Sequence, residues 1–232
     1  MTERSILDEQ LAYYRARAGE YDQWHRREGR YFRGDEHRER WLAELDAVHA
    51  SLNALQSFGR VLELACGTGL WTGDLAAGAS TVTAVDAAHE TIDINRAKHG
   101  DPRIRYVVAD LFDWTPDTTY DLVFFGFWLS HVPAERFDAF WAMVRDALAP
   151  GGRVFFVDSR KTQHSTATNH AAITDVGIVE RKLNDGRTFE IVKIYHAPEA
   201  LTERLARLGW AADVDTTGEF FLYGHVIPLD EA

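Results

Sequence analysis

The run Arg60-Val-Leu-Glu-Leu-Ala-Cys-Gly-Thr-Gly-Leu-Trp-Thr72 leads from an apolar segment through a tight Cys66-Gly-Thr-Gly69 turn into helix-like sequence. A strand, a glycine turn and a helix in that order let a ligand approach bare backbone at the carboxyl end of a parallel strand. The dinucleotide version of such a turn needs G-x-G-x-x-G/A, whose third small residue allows close helix–strand packing. Gly67 and Gly69 meet its first half, but Thr72 stands at the third position. The alternative E-x-A/G-x-G-x-G is met by Glu63, Ala65, Gly67 and Gly69, with Ala65 where glycine is more usual. Asp86 closes the next apolar segment, about twenty residues beyond the glycines, where a carboxylate can accept both hydroxyls of a ribose. Asp110 closes a third such segment beside Leu111 and Phe112. An acid there can accept an exocyclic adenine amine while the ring packs on carbon. Strand-end aspartates can also serve only as helix caps, but three features on successive strand ends point to a bound nucleoside.

Further residues suit chemistry on a second ligand. His131, in a turn closed by Pro133, titrates near neutrality and could act as a base toward a hydroxyl or amine, or simply bind a backbone carbonyl. Tyr13, Tyr14 and Tyr21 fall in the first helical stretch, with 14 and 21 on one face at seven-residue spacing. Trp24, Tyr31 and Phe32 populate an aromatic interruption at 23–34 and could wall a pocket, while Trp71 and Trp128 flank the nucleoside cleft or belong to the core.

The elements that must position these residues alternate. Strand candidates are Val61–Ala65, Thr81–Val85, Ile104–Val108, Leu122–Phe127, Arg153–Asp158, Ala211–Thr216 and Phe220–Val226. Helical spacing marks Trp71–Ala77, His89–Lys98, Ala134–Leu148 and Pro198–Leu208. Such alternation predicts an α/β fold with a mostly parallel sheet and helices on both faces. Leu148-Ala-Pro-Gly-Gly152 reads as a helix stop before a strand, and the last two strands as an antiparallel hairpin around Gly218. Two regions lie outside the repeat: a helical cap over 1–57, and 159–195, where Val176–Leu183 and Thr188–Tyr195 flank the hairpin signal Asn184-Asp-Gly186. The expected organisation is one domain, with a core at 58–158 and a closing helix and strands at 196–232.

At 232 residues the chain can bury one sizeable core, and its formal charge of −11 argues against nucleic acid and anionic membranes as partners. A single cysteine, Cys66, excludes a disulfide framework and a thiolate metal site, and no metal is expected. The amino-terminal stretch lacks a signal-peptide core and no run of about eighteen apolar residues occurs, so a soluble cytoplasmic protein is expected.

With both acids in place, the glycine loop resembles that of class I S-adenosylmethionine (SAM)-dependent methyltransferases over residues 58–158 and the final hairpin. The resemblance implies a Rossmann-like seven-stranded sheet with an antiparallel last strand, an N-terminal helical lid and an inserted β-hairpin. It also implies SAM as cofactor and S-adenosylhomocysteine (SAH) as product. The donor set would be Tyr14, Glu63, Ala65, Gly67, Gly69, Trp71, Asp86, Ala87, Asp110, Leu111 and Phe127. Tyr14 would reach the methionine carboxylate, with Arg15 and Arg17 as weaker candidates. Segments outside the loop, including Leu11-Ala-Tyr-Tyr-Arg-Ala-Arg-Ala-Gly-Glu-Tyr-Asp22, Trp128-Leu-Ser-His-Val-Pro133 and Asp185-Gly-Arg-Thr-Phe-Glu-Ile-Val-Lys193, are similar to phosphonate O-methyltransferases of the dehydrophos type.

That narrower resemblance implies a small-molecule methyltransferase of secondary metabolism, O-directed, with a phosphonate or carboxylate acceptor. Arg181 and Lys193 would form an anion clamp, His131 would be a further catalytic candidate, and Trp24, Tyr31 and Trp128 would line the acceptor site. Two solvated hairpin charges are the plain alternative for Arg181 and Lys193. The clamp requires a three-residue loop pairing Leu183 with Arg187, because a two-residue loop sends 181 and 193 to opposite faces. Competing functions are methylation of a neutral aromatic metabolite with His131 as base, and a SAM-binding protein without turnover; the chain could act as a monomer or homodimer.

Overall fold

In the computed structural model, which describes residues 3–55, 58–170 and 177–229, the chain opens with α1 (Glu3–Arg17), α2 (Tyr21–Arg26) and α3 (Asp35–Asn53). Next come β1 (Phe58–Leu64), α4 (Thr72–Gly78), β2 (Ala79–Asp86), α5 (His89–Lys98), β3 (Ile104–Val108), β4 (Tyr120–Gly126), α6 (Phe137–Asp146) and β5 (Leu148–Ser159). The inserted hairpin is β6 (Ile178–Lys182) and β7 (Thr188–Val192), and α7 (Pro198–Arg207), β8 (Trp210–Thr216) and β9 (Phe221–Pro228) complete the chain. Val176, placed in the hairpin from sequence, lies outside the described residues.

The seven-stranded sheet has the order β3-β2-β1-β4-β5-β9-β8, and β6 and β7 pair separately. Strands β1 to β5 pair in parallel, while β9 runs antiparallel to both β5 and β8. The expected seven-stranded Rossmann-like sheet is therefore present. Strand order reverses between β1 and β4, which opens a crevice outside the carboxyl ends of the strands.

The core follows from residue alternation along buried strands. Phe124 and Phe155 stack at 6.1 Å on one face, with Trp41, Val48 and Leu75 from the helices above. Phe125 and Phe156 stack at 5.7 Å on the other, with Phe140, Trp141 and Trp210. Burying each such ring contributes roughly 1.5–3 kcal/mol, so the strand ends sit on a rigid platform.

Three details depart from the sequence reading. Tyr21 does not share a helix with Tyr14, because α1 stops at Arg17 and a 3₁₀ turn, Ala18–Glu20, precedes α2. The strand expected from Arg153 already begins at Leu148, which pairs with Tyr120, and the register shifts before Leu122 meets Arg153. Gly152 makes this bulge possible, since a Cβ there would lie 2.8 Å from the Ala149 carbonyl oxygen and 2.9 Å from that of Tyr120. The 23–34 interruption begins inside α2, which is ended by Arg27 at φ 56. The buried Arg27 guanidinium donates to the carbonyls of Ser165 (3.0 Å) and His164 (2.8 Å) and lies 4.2 Å over the Trp41 ring. Among the described residues, no helix is long and apolar enough to cross a membrane.

Candidate active site

The glycine turn takes left-handed backbone at Ala65 (φ 53), Gly67 (φ 51) and Gly69 (φ 85). Ala65 thus occupies a conformation that costs an L-residue roughly 1–2 kcal/mol, consistent with strain held at a binding site. Asp86 ties the turn down: its carboxylate accepts from the Gly67 amide (2.9 Å), the Ala88 amide (2.8 Å) and the Thr91 hydroxyl (3.2 Å). Thr72, the residue that breaks the dinucleotide pattern, donates to Glu63 at 2.6 Å and accepts from the Asn95 amide at 2.9 Å.

A largely apolar cleft of about 770 Å³ opens over this turn. Ala65, Gly67, Asp86, Ala87, Asp110, Leu111 and Phe127 all line it, as do Tyr14 and Trp128. Its size falls in the range of small-molecule sites, and an acid at each strand end beside apolar Leu111 matches a ribose and an adenine. These residues therefore fit SAM. Three members of the expected donor set sit elsewhere. Glu63 is buried beneath the turn against Thr72, Gly69 turns toward Asn95 and His99, and Trp71 stacks on His49 at 4.1 Å. All three support the loop from behind. Arg15 points outward to Glu90, at 3.1 Å.

A second cavity, of about 530 Å³, adjoins the first. Arg17, Arg181 and Lys193 bring three cations to it, and Trp24, Tyr31 and His170 form part of its wall. Trp128, expected here, lines only the donor cleft, and Phe32 is 46% exposed. The inserted hairpin adopts the three-residue loop: the Leu183 amide donates to the Arg187 carbonyl at 2.9 Å, and Arg181 pairs with Phe189. Residues 181 and 193 consequently share a face, and both are buried, at 9% and 8% exposure.

Lys193 is held by residues that sequence reasoning passed over. Its Nζ donates to Ser130 Oγ at 2.7 Å and lies 3.4 Å from Asp158. Asp158 also accepts from the Ser130 amide and hydroxyl, each at 2.8 Å, and from the Ser159 amide at 2.7 Å. Burial would raise the Asp158 pKa, but the charge on Lys193 and the Ser130 bonds outweigh it and hold the carboxyl below its usual range. Burial lowers the Lys193 pKa, and the charge on Asp158 opposes that shift. A signal for Asp158 existed, since it is another strand-end acid like Asp86 and Asp110. Ser130 and His170 gave none, and Arg17, a weaker candidate for the methionine carboxylate, lines the second cavity and not the donor cleft.

Tyr14, Tyr21, Phe127 and His131 line both cavities and so mark where they meet. Phe127, directly after β4, has φ 57, another non-glycine residue in left-handed backbone. His131 Nδ1 lies 2.7 Å from the Val192 carbonyl oxygen and Nε2 lies 2.8 Å from the Tyr14 hydroxyl. Burial, with repulsion from Lys193, pushes its pKa down to about 3, so the ring is neutral and both nitrogens are engaged.

A family model described as a methyltransferase domain matches residues 61–152. The solved DhpI–SAH complex is 41% identical, covers 99% of this chain and 100% of that chain, and superposes with a TM-score of 0.78. The DhpI–SAM–HEP complex is also 41% identical, over 98% of this chain and 100% of that one, with a TM-score of 0.81. The chain belongs to the class I SAM-dependent methyltransferases, with SAM as its cofactor. Among curated proteins it is 35% identical over 98 residues to the cypemycin N-terminal methyltransferase of a Streptomyces species. That match spans 41% of this chain and 40% of the relative.

Proposed function

We propose that this enzyme methylates an oxygen of a small anionic metabolite, a phosphonate or a carboxylate. The observation that carries the reading is the second cavity, where Arg17, Arg181 and Lys193 are buried together beside the donor cleft. Among the described residues, these three cations have one nearby carboxylate, Asp158, which leaves a local positive excess inside a protein of net charge −11. Desolvated cations without a full complement of anions favour an anionic guest. The relative DhpI is solved as a complex with SAM and HEP together, which supports a second ligand site beside the donor cleft.

The bound cofactor supplies an already activated sulfonium methyl. Arg181 and Lys193 hold and orient the acceptor, leaving one oxygen toward the junction lined by Tyr14 and Phe127. Lid residues Trp24 and Tyr31 exclude water, which strengthens every charge contact inside. Positioning of two reactants in line is the main catalytic device. An anionic oxygen needs no base, and neutral His131, its lone pair taken by Tyr14, suits a positioning role better than proton abstraction. In this division residues 58–158 serve the donor, the 159–195 insertion serves the acceptor, and the 1–57 cap reaches both.

The test is transfer of labelled methyl from SAM to a panel of alkylphosphonates, carboxylates and phenols. Labelling confined to the anionic members is the expected outcome. Preferential labelling of neutral phenols would overturn the anionic reading, and no transfer to any member would favour a binding protein without turnover.

A further inference from the structure

The hydrogen at the junction of the two cavities can be assigned. A carbonyl oxygen only accepts, so the 2.7 Å contact with Val192 requires a hydrogen on His131 Nδ1. The buried ring is neutral, so Nε2 carries a bare lone pair. The Tyr14 hydroxyl, 2.8 Å away, must then donate its only hydrogen to it. Gln10 locks this arrangement, donating to the His131 carbonyl at 3.3 Å and accepting from the Val192 amide at 3.0 Å.

Tyr14 therefore offers only oxygen lone pairs to the space it lines. That corrects the expectation that it donates to the methionine carboxylate, since an acceptor-only oxygen repels a carboxylate and an anionic methyl acceptor alike. One group at a donor–acceptor junction suits it: a methyl on positively charged sulfur, whose C–H bonds are polarised. We propose that Tyr14 is a methyl-positioning residue, its oxygen accepting C–H contacts from the sulfonium methyl while His131 fixes the hydroxyl. The assignment rests on the reading that the donor occupies the apolar cleft and the acceptor the cationic cavity.

Binding without acceptor tests it. SAM carries the methyl and SAH lacks it. Tyr14→Phe should weaken SAM about two- to five-fold, as expected for loss of a weak C–H···O contact, and leave SAH binding unchanged. The proton shift of ¹³C-methyl SAM, moved downfield in the wild-type complex, should return toward its free value in Tyr14→Phe. Equal effects on SAM and SAH, or none on either, together with an unmoved methyl shift, would overturn the assignment. Asp110→Ala, at an exposed residue of the donor cleft, should weaken both ligands alike. If Asp110→Ala affects neither, the donor placement fails and the assignment of Tyr14 falls with it.

Discussion

Glu63 makes an unusual demand on stability, and Glu63→Gln exposes it. The carboxyl is 2% exposed and receives a single side-chain hydrogen bond, from Thr72 at 2.6 Å. Burial raises its pKa from 4.5 to about 8, the Thr72 bond opposes the shift, and Asp86 and Asp74 add to it by repulsion. A raised folded pKa means that the folded state binds the proton more tightly than the unfolded state. The resulting stabilisation is fully present below 4.5 and is lost as pH rises through about 8. Each unit between these limits corresponds to about 1.4 kcal/mol, so roughly 2 kcal/mol should disappear between about pH 6.5 and about pH 8.5. For a chain of this size that is a melting shift of about 4–8 °C. Glutamine keeps the acceptor oxygen for Thr72 and cannot ionise. In thermal or urea unfolding without SAM, the variant should gain on the wild type by that amount across the window. Taking the difference cancels every other titrating group. Parallel pH profiles for the two proteins would refute the reasoning.

Three other expectations follow from the same geometry. Gly69→Ala should cost roughly 2–4 kcal/mol in chemical denaturation, because φ is 85 and a Cβ would lie 2.5 Å from Asn95 Oδ1; that side chain is buried and anchored to Thr72 and Tyr106. His131 and His170, each lowered to about 3, and His25, lowered to about 4, are held neutral chiefly by burial. The folded state thus binds fewer protons than the unfolded, so stability is full above about pH 6.5 and falls toward about pH 4.5, by up to about 1.4 kcal/mol per unit for each histidine. The measurement belongs in the Glu63→Gln background, since Glu63 titrates there with opposite sign, and His131→Leu should flatten the profile. Finally, Asp22 in α2 accepts from Thr68 of the glycine turn at 2.6 Å and from Lys98 at 2.6 Å. Asp22→Asn should speed SAH release in stopped-flow measurements while leaving the melting temperature nearly unchanged.

Much of this molecule was legible as sequence because its signals were local. The apolar runs that became β1 to β5, and the acids Asp86 and Asp110 ending two of them, depend on residues a few positions apart. The same holds for Asn184-Asp-Gly186, whose length set the face shared by Arg181 and Lys193. Errors arose where a residue's direction depended on partners distant in the chain. Trp71 borders the glycine turn but packs on His49, and Glu63 serves Thr72 from beneath. Tyr14 and Tyr21 do meet at the junction, though through a 3₁₀ turn and not along one helix. Nothing in the spacing of Ser130, Asp158 and Lys193 announces a buried cluster, because three separate elements bring them together.

The central claim, an anionic acceptor held by buried cations, is tested most directly at Arg181. This residue is better suited than Lys193, whose loss would also strip Asp158 of its counter-ion. The measurement compares kcat/KM for an alkylphosphonate between wild type and Arg181→Met, with SAM affinity measured alongside. Loss of a charged hydrogen-bonding partner should lower kcat/KM by about ten- to a hundred-fold, mainly through KM, with SAM affinity unchanged. An unchanged kcat/KM in Arg181→Met would contradict the account.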